Sequence, residues 1–297
     1  MTQSAAPFGR MLTAMVTPFK PDGSVDLDGV AKVARHLVEH GHDGLVVSGT
    51  TGESPTTTTE EDGETLAAVI AAVGDRAKVV AGVGTNTTTH SVELAQQAAK
   101  AGADGILLVT PYYNKPSQEG ILAHFRAVVE AGGVPTMLYD VPGRTGTAIS
   151  MPVYEQLVDH ELVIAVKDAL GDYPRAARLV DMGYAVYSGD DIGTLSFLAH
   201  GGSGLVSVVG HVAGEELSGM IHSFLAGDHT AALATYTRLL PAFRAVMGVP
   251  NYGATTAKAC LQLLGVLDNR NVRGPLVPLT DDELAALRAG LRASQLI

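Results

Sequence analysis

One lysine is placed to do chemistry. The stretch Val163-Ile-Ala-Val-Lys167-Asp-Ala is short, β-branched and apolar, with a single amine near its end. Such a run has the pattern of a strand buried on both faces. An ammonium is costly there, because burial disfavours the charged form. Lys167 can be an ordinary lysine, paired with a neighbour such as Asp168 or snorkelling to water. Alternatively it is kept partly neutral, so that its amine attacks a carbonyl carbon and forms a Schiff base.

Other polar residues follow apolar runs in the same way. Gly49-Thr-Thr-Gly-Glu53 comes after one of them. There the Thr50 and Thr51 hydroxyls and amides suit a small carboxylate, and Gly49 and Gly52 let backbone approach it. An ordinary turn is the structural alternative. Tyr112, Tyr113 and Tyr139 are three of the nine tyrosines. Any one of them can be packing alone, but a phenol beside a Schiff-base lysine can pass protons as a carbinolamine forms and dehydrates. Arg144, after Pro142-Gly143, is either a solvated loop charge or a fork for a substrate carboxylate. Ser188-Gly-Asp-Asp191 ends another run. His36 and His40 suit a helix end rather than a metal, since no ligand pattern accompanies them. Gly82-Val-Gly84 lacks the third glycine of a dinucleotide fingerprint, and no Walker, nucleophile-elbow or HExxH pattern occurs. No metal or cofactor is expected.

The elements that must position these residues alternate. Strand patterns fall at 12–18, 44–49, 78–84, 105–110, 135–139, 163–167, 184–188 and 204–209. Helical spacing occupies 26–39, 59–73, 90–101, 120–130 and 152–158 between them. Thr58 with Glu61 has capping-box register. Most strands recur at intervals of roughly 20 to 35 residues, about one βαβ unit. Such alternation predicts a parallel sheet, and eight units predict a closed (β/α)8 TIM barrel over residues 1–226. An open doubly wound sheet would carry a glycine-rich turn after its first strand, where Thr17-Pro18-Phe19 stands instead. Beyond residue 227 strands stop. Helical patterns at 231–246, 254–264 and 281–291, the last with Thr280 and Glu283 in capping-box register, predict a C-terminal helical appendage over 227–297. In such a barrel sites form where strands end. Lys167 ends its strand; Lys78 begins one and belongs to the opposite rim. Position therefore favours the chemical reading of Lys167.

The 297 residues are 46% apolar, enough for a large core. Net charge is −11 with no basic cluster, which argues against nucleic acid. A single cysteine, Cys260, fits a reducing compartment. No membrane-length apolar run and no signal-peptide pattern occur, so a soluble cytoplasmic protein is expected.

The chain resembles the dihydrodipicolinate synthase family, within the pyruvate-dependent class I aldolases and lyases, from about Leu12 to its end. Gly49-Thr-Thr-Gly-Glu53, Thr110-Pro-Tyr-Tyr-Asn-Lys-Pro116, Tyr139-Asp-Val-Pro-Gly-Arg144, Val166-Lys-Asp168 and Ser188-Gly-Asp-Asp191 carry the resemblance. It implies a lyase that condenses pyruvate with L-aspartate 4-semialdehyde on the route to diaminopimelate and lysine. Lys167 would form the Schiff base, Tyr139 would pass protons, and Thr50 and Tyr113 would complete a hydroxyl relay. Tyr113 would come from a neighbouring subunit, implying a dimer at least and commonly a homotetramer of two tight dimers. Thr51 would bind the pyruvate carboxylate, and the backbone of Val206 would help hold pyruvate; Gly189 would lie beside the lysine; Arg144 would guide the semialdehyde through its carboxylate. Another pyruvate-dependent aldolase, for sugar acids or sialic acid, and a silent pyruvate-binding protein are the alternatives.

Two departures stand out. Lysine-inhibited members carry histidines after the threonine loop and a glutamate after the Asn86 turn. Here the matching positions are Thr59, Asp62 and His90, and Pro55 replaces a small residue. Weak or absent lysine feedback is expected. Asp140 stands where asparagine is frequent, with its neighbours intact.

Overall fold

The computed structural model describes residues 6–250 and 253–297. Eight parallel strands close a barrel in chain order. They are β1 (Met11–Ala14), β2 (Gly44–Val47), β3 (Lys78–Gly82), β4 (Gly105–Val109), β5 (Thr136–Asp140), β6 (Val163–Asp168), β7 (Ala185–Ser188) and β8 (Gly204–Ser207). Around and after them run α1 (Leu27–Glu39), α2 (Thr59–Val73), α3 (Thr88–Ala101), α4 (Gln118–Gly132), α5 (Pro142–Thr145), α6 (Met151–Glu155), α7 (Tyr173–Asp181), α8 (Thr194–Ala199), α9 (Gly210–Leu225), α10 (His229–Met247), α11 (Ala254–Leu263) and α12 (Asp281–Ala293).

The pleat sorts each strand into two faces. Leu12, Val46, Val80, Leu107, Met137 and Ala165 fill the barrel interior, with Phe8 among them. Leu45, Val79, Ile106, Leu138 and Val166 face the helices instead. With both faces covered, the strands read as continuous apolar runs. The alternation also sets the site. Tyr139 shares the interior face with Met137, and Lys167 shares it with Ala165, whereas Asp140 and Asp168 turn outward. A further cluster joins Met11 and Leu205 to Leu217, Leu239, Phe243 and Leu287, so α9, α10 and α12 pack onto the β1–β8 seam.

Both capping boxes form as the spacing predicts, at Thr58–Glu61 and Thr280–Glu283. Three helices carry no clear helical pattern in the sequence. In α7 only Ala176 and Leu179 are buried, and Pro174 interrupts its start. Six-residue α8 is too short for a period to show. Three glycines dilute α9, which is kinked at Ala213. Among the described residues, no helix is long and apolar enough to cross a membrane.

Two buried histidines join α1, β1 and α9. His42 Nδ1–H donates to the Leu37 carbonyl at 2.7 Å, leaving Nε2 to accept from the Thr13 hydroxyl, also at 2.7 Å. His211 Nδ1–H donates to the Val208 carbonyl at 2.8 Å, and its Nε2 accepts the Val16 N–H at 3.1 Å. At His211 protonation would set the new N–H against the Val16 N–H; at His42 the Thr13 hydroxyl can turn to accept, so burial is what opposes the charge there. Burial pushes His42 down to about 4 and His211 to about 3. The unfolded chain therefore takes up protons first as pH falls below about 6.5, and the native state loses stability from there through pH 4. The His42 shift alone corresponds to roughly 3 kcal/mol. Burial pushes the carboxyls of Asp140, Asp168 and Asp191 up, which works in the opposite sense. Denaturant melts between pH 7 and 4 should thus show a shallower stability loss for His42→Gln than for wild type. Parallel curves would show that His42 is not a source of acid lability.

Candidate active site

Lys167 lies on β6 between Tyr139 of β5 and Tyr187 of β7, each paired with it in register. It is 5% exposed. Its amine sits over the Tyr139 ring, 4.3 Å from the centroid. Burial pulls Lys167 down to about 7; the Asp191 carboxylate resists this, and the Arg144 cation adds to it. An ordinary lysine is neutral at pH 7 to roughly one part in 3,000. Here amine and ammonium are comparably populated, so a nucleophile is present at neutral pH. The ring face stabilises a cation at that nitrogen, whether ammonium or the iminium that would replace it.

The opposing charge is built in. Asp191 is buried and accepts from the Ser207 hydroxyl and from the N–H groups of Val208 (3.0 Å) and Val209 (3.3 Å). These bonds fix its carboxylate at the start of α9.

Gly49, Thr50, Thr51, Tyr139, Arg144, Lys167 and Gly189 line one cavity of about 460 Å³. That volume falls in the range of small-molecule sites. The Thr50–Thr51 turn follows β2 directly. Ser48 and Glu53 flank it with φ of 53° and 60°, and the Gly52 and Glu53 N–H groups donate back to Gly49 and Thr50. Gly82 is needed beneath it, because a Cβ there would collide with the Ser48 carbonyl. Glu53 then locks the turn to the C-terminal helices. Its carboxylate takes Lys258 Nζ at 2.5 Å and the Arg273 N–H at 2.9 Å, with both ion-pair side chains 1% exposed. Arg144 belongs to the one-turn helix α5, not to a loop. Gly189 donates its N–H to the Asp168 carbonyl at 2.7 Å, and a Cβ there would press on Ala169 at 2.9 Å.

Two predicted residues stand apart. Val206 is buried within β8 opposite Leu12; Val208, two residues on, lines the cavity. Tyr113 is 89% exposed, with φ of 74°, and borders an adjoining cleft of about 580 Å³ that shares Thr50, Tyr139 and Arg144 with the first. Sequence reading gave no role to Asp191, nor to Met247 and Leu276, which close the cavity from the C-terminal region. The paired aspartates of Ser188-Gly-Asp-Asp191 were the only local signal for any of these.

A model of the dihydrodipicolinate synthetase family matches residues 7–294. The chain belongs to this family. A 4-hydroxy-tetrahydrodipicolinate synthase of Acidothermus cellulolyticus is 54% identical over 292 residues, 97% of this chain and 93% of that one. The dihydrodipicolinate synthase of Cyanidioschyzon merolae, solved with lysine bound, superposes with a TM-score of 0.94 at 40% identity, covering 99% of this chain and 100% of that chain. The chloride-inhibited enzyme of Acinetobacter baumannii, solved in complex with pyruvate, gives 0.92 at 34% identity, covering 98% and 100%. Like these relatives, the family member described here is a barrel enzyme of the lyase type.

Proposed function

We propose that this enzyme condenses pyruvate with L-aspartate 4-semialdehyde through an imine on Lys167. The observation that carries the reading is the buried Lys167 amine, down near 7 and stacked on Tyr139, inside a cavity that also holds Thr51 and Arg144. The amine attacks the pyruvate ketone. The Tyr139 hydroxyl supplies the proton with which the carbinolamine's hydroxyl leaves as water, producing the iminium. The iminium acidifies the neighbouring methyl group, whose proton passes to the Tyr139 phenolate, restoring the phenol and giving an enamine. Its terminal carbon attacks the aldehyde, and Tyr139 protonates the new alkoxide. The semialdehyde's own amine then displaces Lys167, closing the ring and freeing the enzyme. Thr51 and the backbone around Val206 hold the pyruvate carboxylate, and Gly189 leaves room beside the lysine. Purified enzyme given both substrates should consume pyruvate in step with semialdehyde. Turnover with sugar aldehydes alone would point to a sugar-acid aldolase.

Arg144 takes the semialdehyde carboxylate. Arg144→Ala should raise KM for the semialdehyde and lower kcat/KM by about 10²-fold, the loss expected for a charge-assisted fork. Pyruvate imine formation should stay within about 3-fold of wild type on the same scale. Equal loss of both would remove this role.

The exposure of Tyr113 supports a site completed by a second copy, with Tyr113 and Thr50 extending the proton relay from Tyr139 across a tight dimer, two of which form a homotetramer. The single buried cysteine accords with work in the cytoplasm. Lysine feedback is weak or absent in this reading. Thr59 and His90, at positions that hold lysine in regulated members, instead bond to each other at 3.1 Å. Initial rates should be unchanged by sub-millimolar lysine; inhibition in that range would reject it.

A further inference from the structure

Asp140 and Asp168 immediately follow Tyr139 and Lys167, and the two pairs are matched in register across β5 and β6. The catalytic pair faces into the barrel, so the aspartates lie directly behind it. Both carboxylates are 0% exposed. One guanidinium serves them both. Arg175 Nη2 meets Asp140 at 2.5 Å and Nη1 meets Asp168 at 2.8 Å. The same Nη2 donates to the Ile149 carbonyl at 2.9 Å, on the segment that follows Arg144 and α5. The fork is itself held in place. Arg175 stands in the first turn of α7, where its N–H is capped by the Asp172 carboxylate at 3.1 Å. Asp140 is further fixed by the Ile149 N–H and the Tyr154 hydroxyl, at 3.2 and 3.3 Å.

We propose that Arg175 is a positioning residue for the condensation: its fork ties the ends of β5 and β6 together and so sets the Tyr139 hydroxyl against the Lys167 nitrogen. The proposal rests on the reaction assigned above. A planar guanidinium reaches two carboxylates at a fixed separation; a lysine ammonium on a flexible stem does not reproduce that geometry. Displacing a proton donor by about 1 Å costs on the order of 10²-fold in rate. Asp140, Asp168 and Arg175 do not line the cavity that holds Thr50 and Thr51, so pyruvate binding there should change little.

The test compares wild type with Arg175→Lys and Arg175→Gln. Pyruvate with borohydride counts trappable sites, and kcat is expressed per trapped site. Arg175→Lys should lower that kcat by about 10-fold and Arg175→Gln by about 10²-fold, with KM for pyruvate within about 2-fold of wild type. A drop in trapped sites at an unchanged kcat per site would make Arg175 merely structural and overturn the proposal. So would a rise in KM with kcat unaltered. Should the arginine variants fail to fold, Asp168→Ala cuts one arm of the tether while keeping the fork on Asp140, and about a 10-fold lower kcat per site is again expected. A wild-type value there overturns the proposal as well. Failure of the reaction assignment looks different: wild-type enzyme would trap pyruvate yet leave the semialdehyde untouched.

Discussion

The Lys167→Met enzyme will bind pyruvate without reacting with it. Methionine matches the lysine stem in length and fills the same buried space, so the barrel interior stays packed. Only the nucleophile is gone. Loss of a covalent catalyst leaves positioning and electrostatics alone, and a fall in kcat on the order of 10⁴-fold or more follows. Stability should hold or rise, because a 5% exposed amine no longer has to be kept out of water. The two measurements belong together. A folded, inert Lys167→Met supports covalent catalysis; a folded variant within about 10-fold of wild type would end it.

Tyr139→Phe is the second large effect, and a more selective one. The ring that lies 4.3 Å beneath the amine is retained, so the surroundings of Lys167 change little. What disappears is the hydroxyl. If that group carries the proton into the carbinolamine and the alkoxide, kcat drops by about 10²–10⁴-fold, the usual range for general acid–base catalysis. Imine formation with pyruvate should slow in parallel, and KM for pyruvate should move little. Wild-type kcat in Tyr139→Phe would assign the proton transfers to another group.

The barrel was legible from its strands because each is buried on both faces, so apolar runs such as Gly105–Val109 stand out against polar turns. Lys167 was legible for the same reason: an amine at the end of such a run is conspicuous. Local capping patterns at Thr58 and Thr280 were readable because their partners lie three residues away. What escaped depends on distance along the chain. Arg175 looks like any exposed helical arginine until α7 folds over the ends of β5 and β6. Asp140, noticed as a departure from asparagine, has its charge met by that arginine 35 residues on. Glu53 and Lys258 are 205 residues apart and meet only in the finished fold. Short α8 and glycine-diluted α9 lack the period that marks a helix, although both bury apolar side chains.

Borohydride reduction of the wild-type protein in pyruvate, followed by peptide mass mapping, is the decisive measurement. The expected result is a reduced pyruvate adduct on Lys167 alone, forming faster as pH rises to about 7 and levelling off above it, because the neutral amine is the reactive form. An unmodified Lys167, or an adduct on another lysine that tracks the loss of activity, would contradict the imine mechanism.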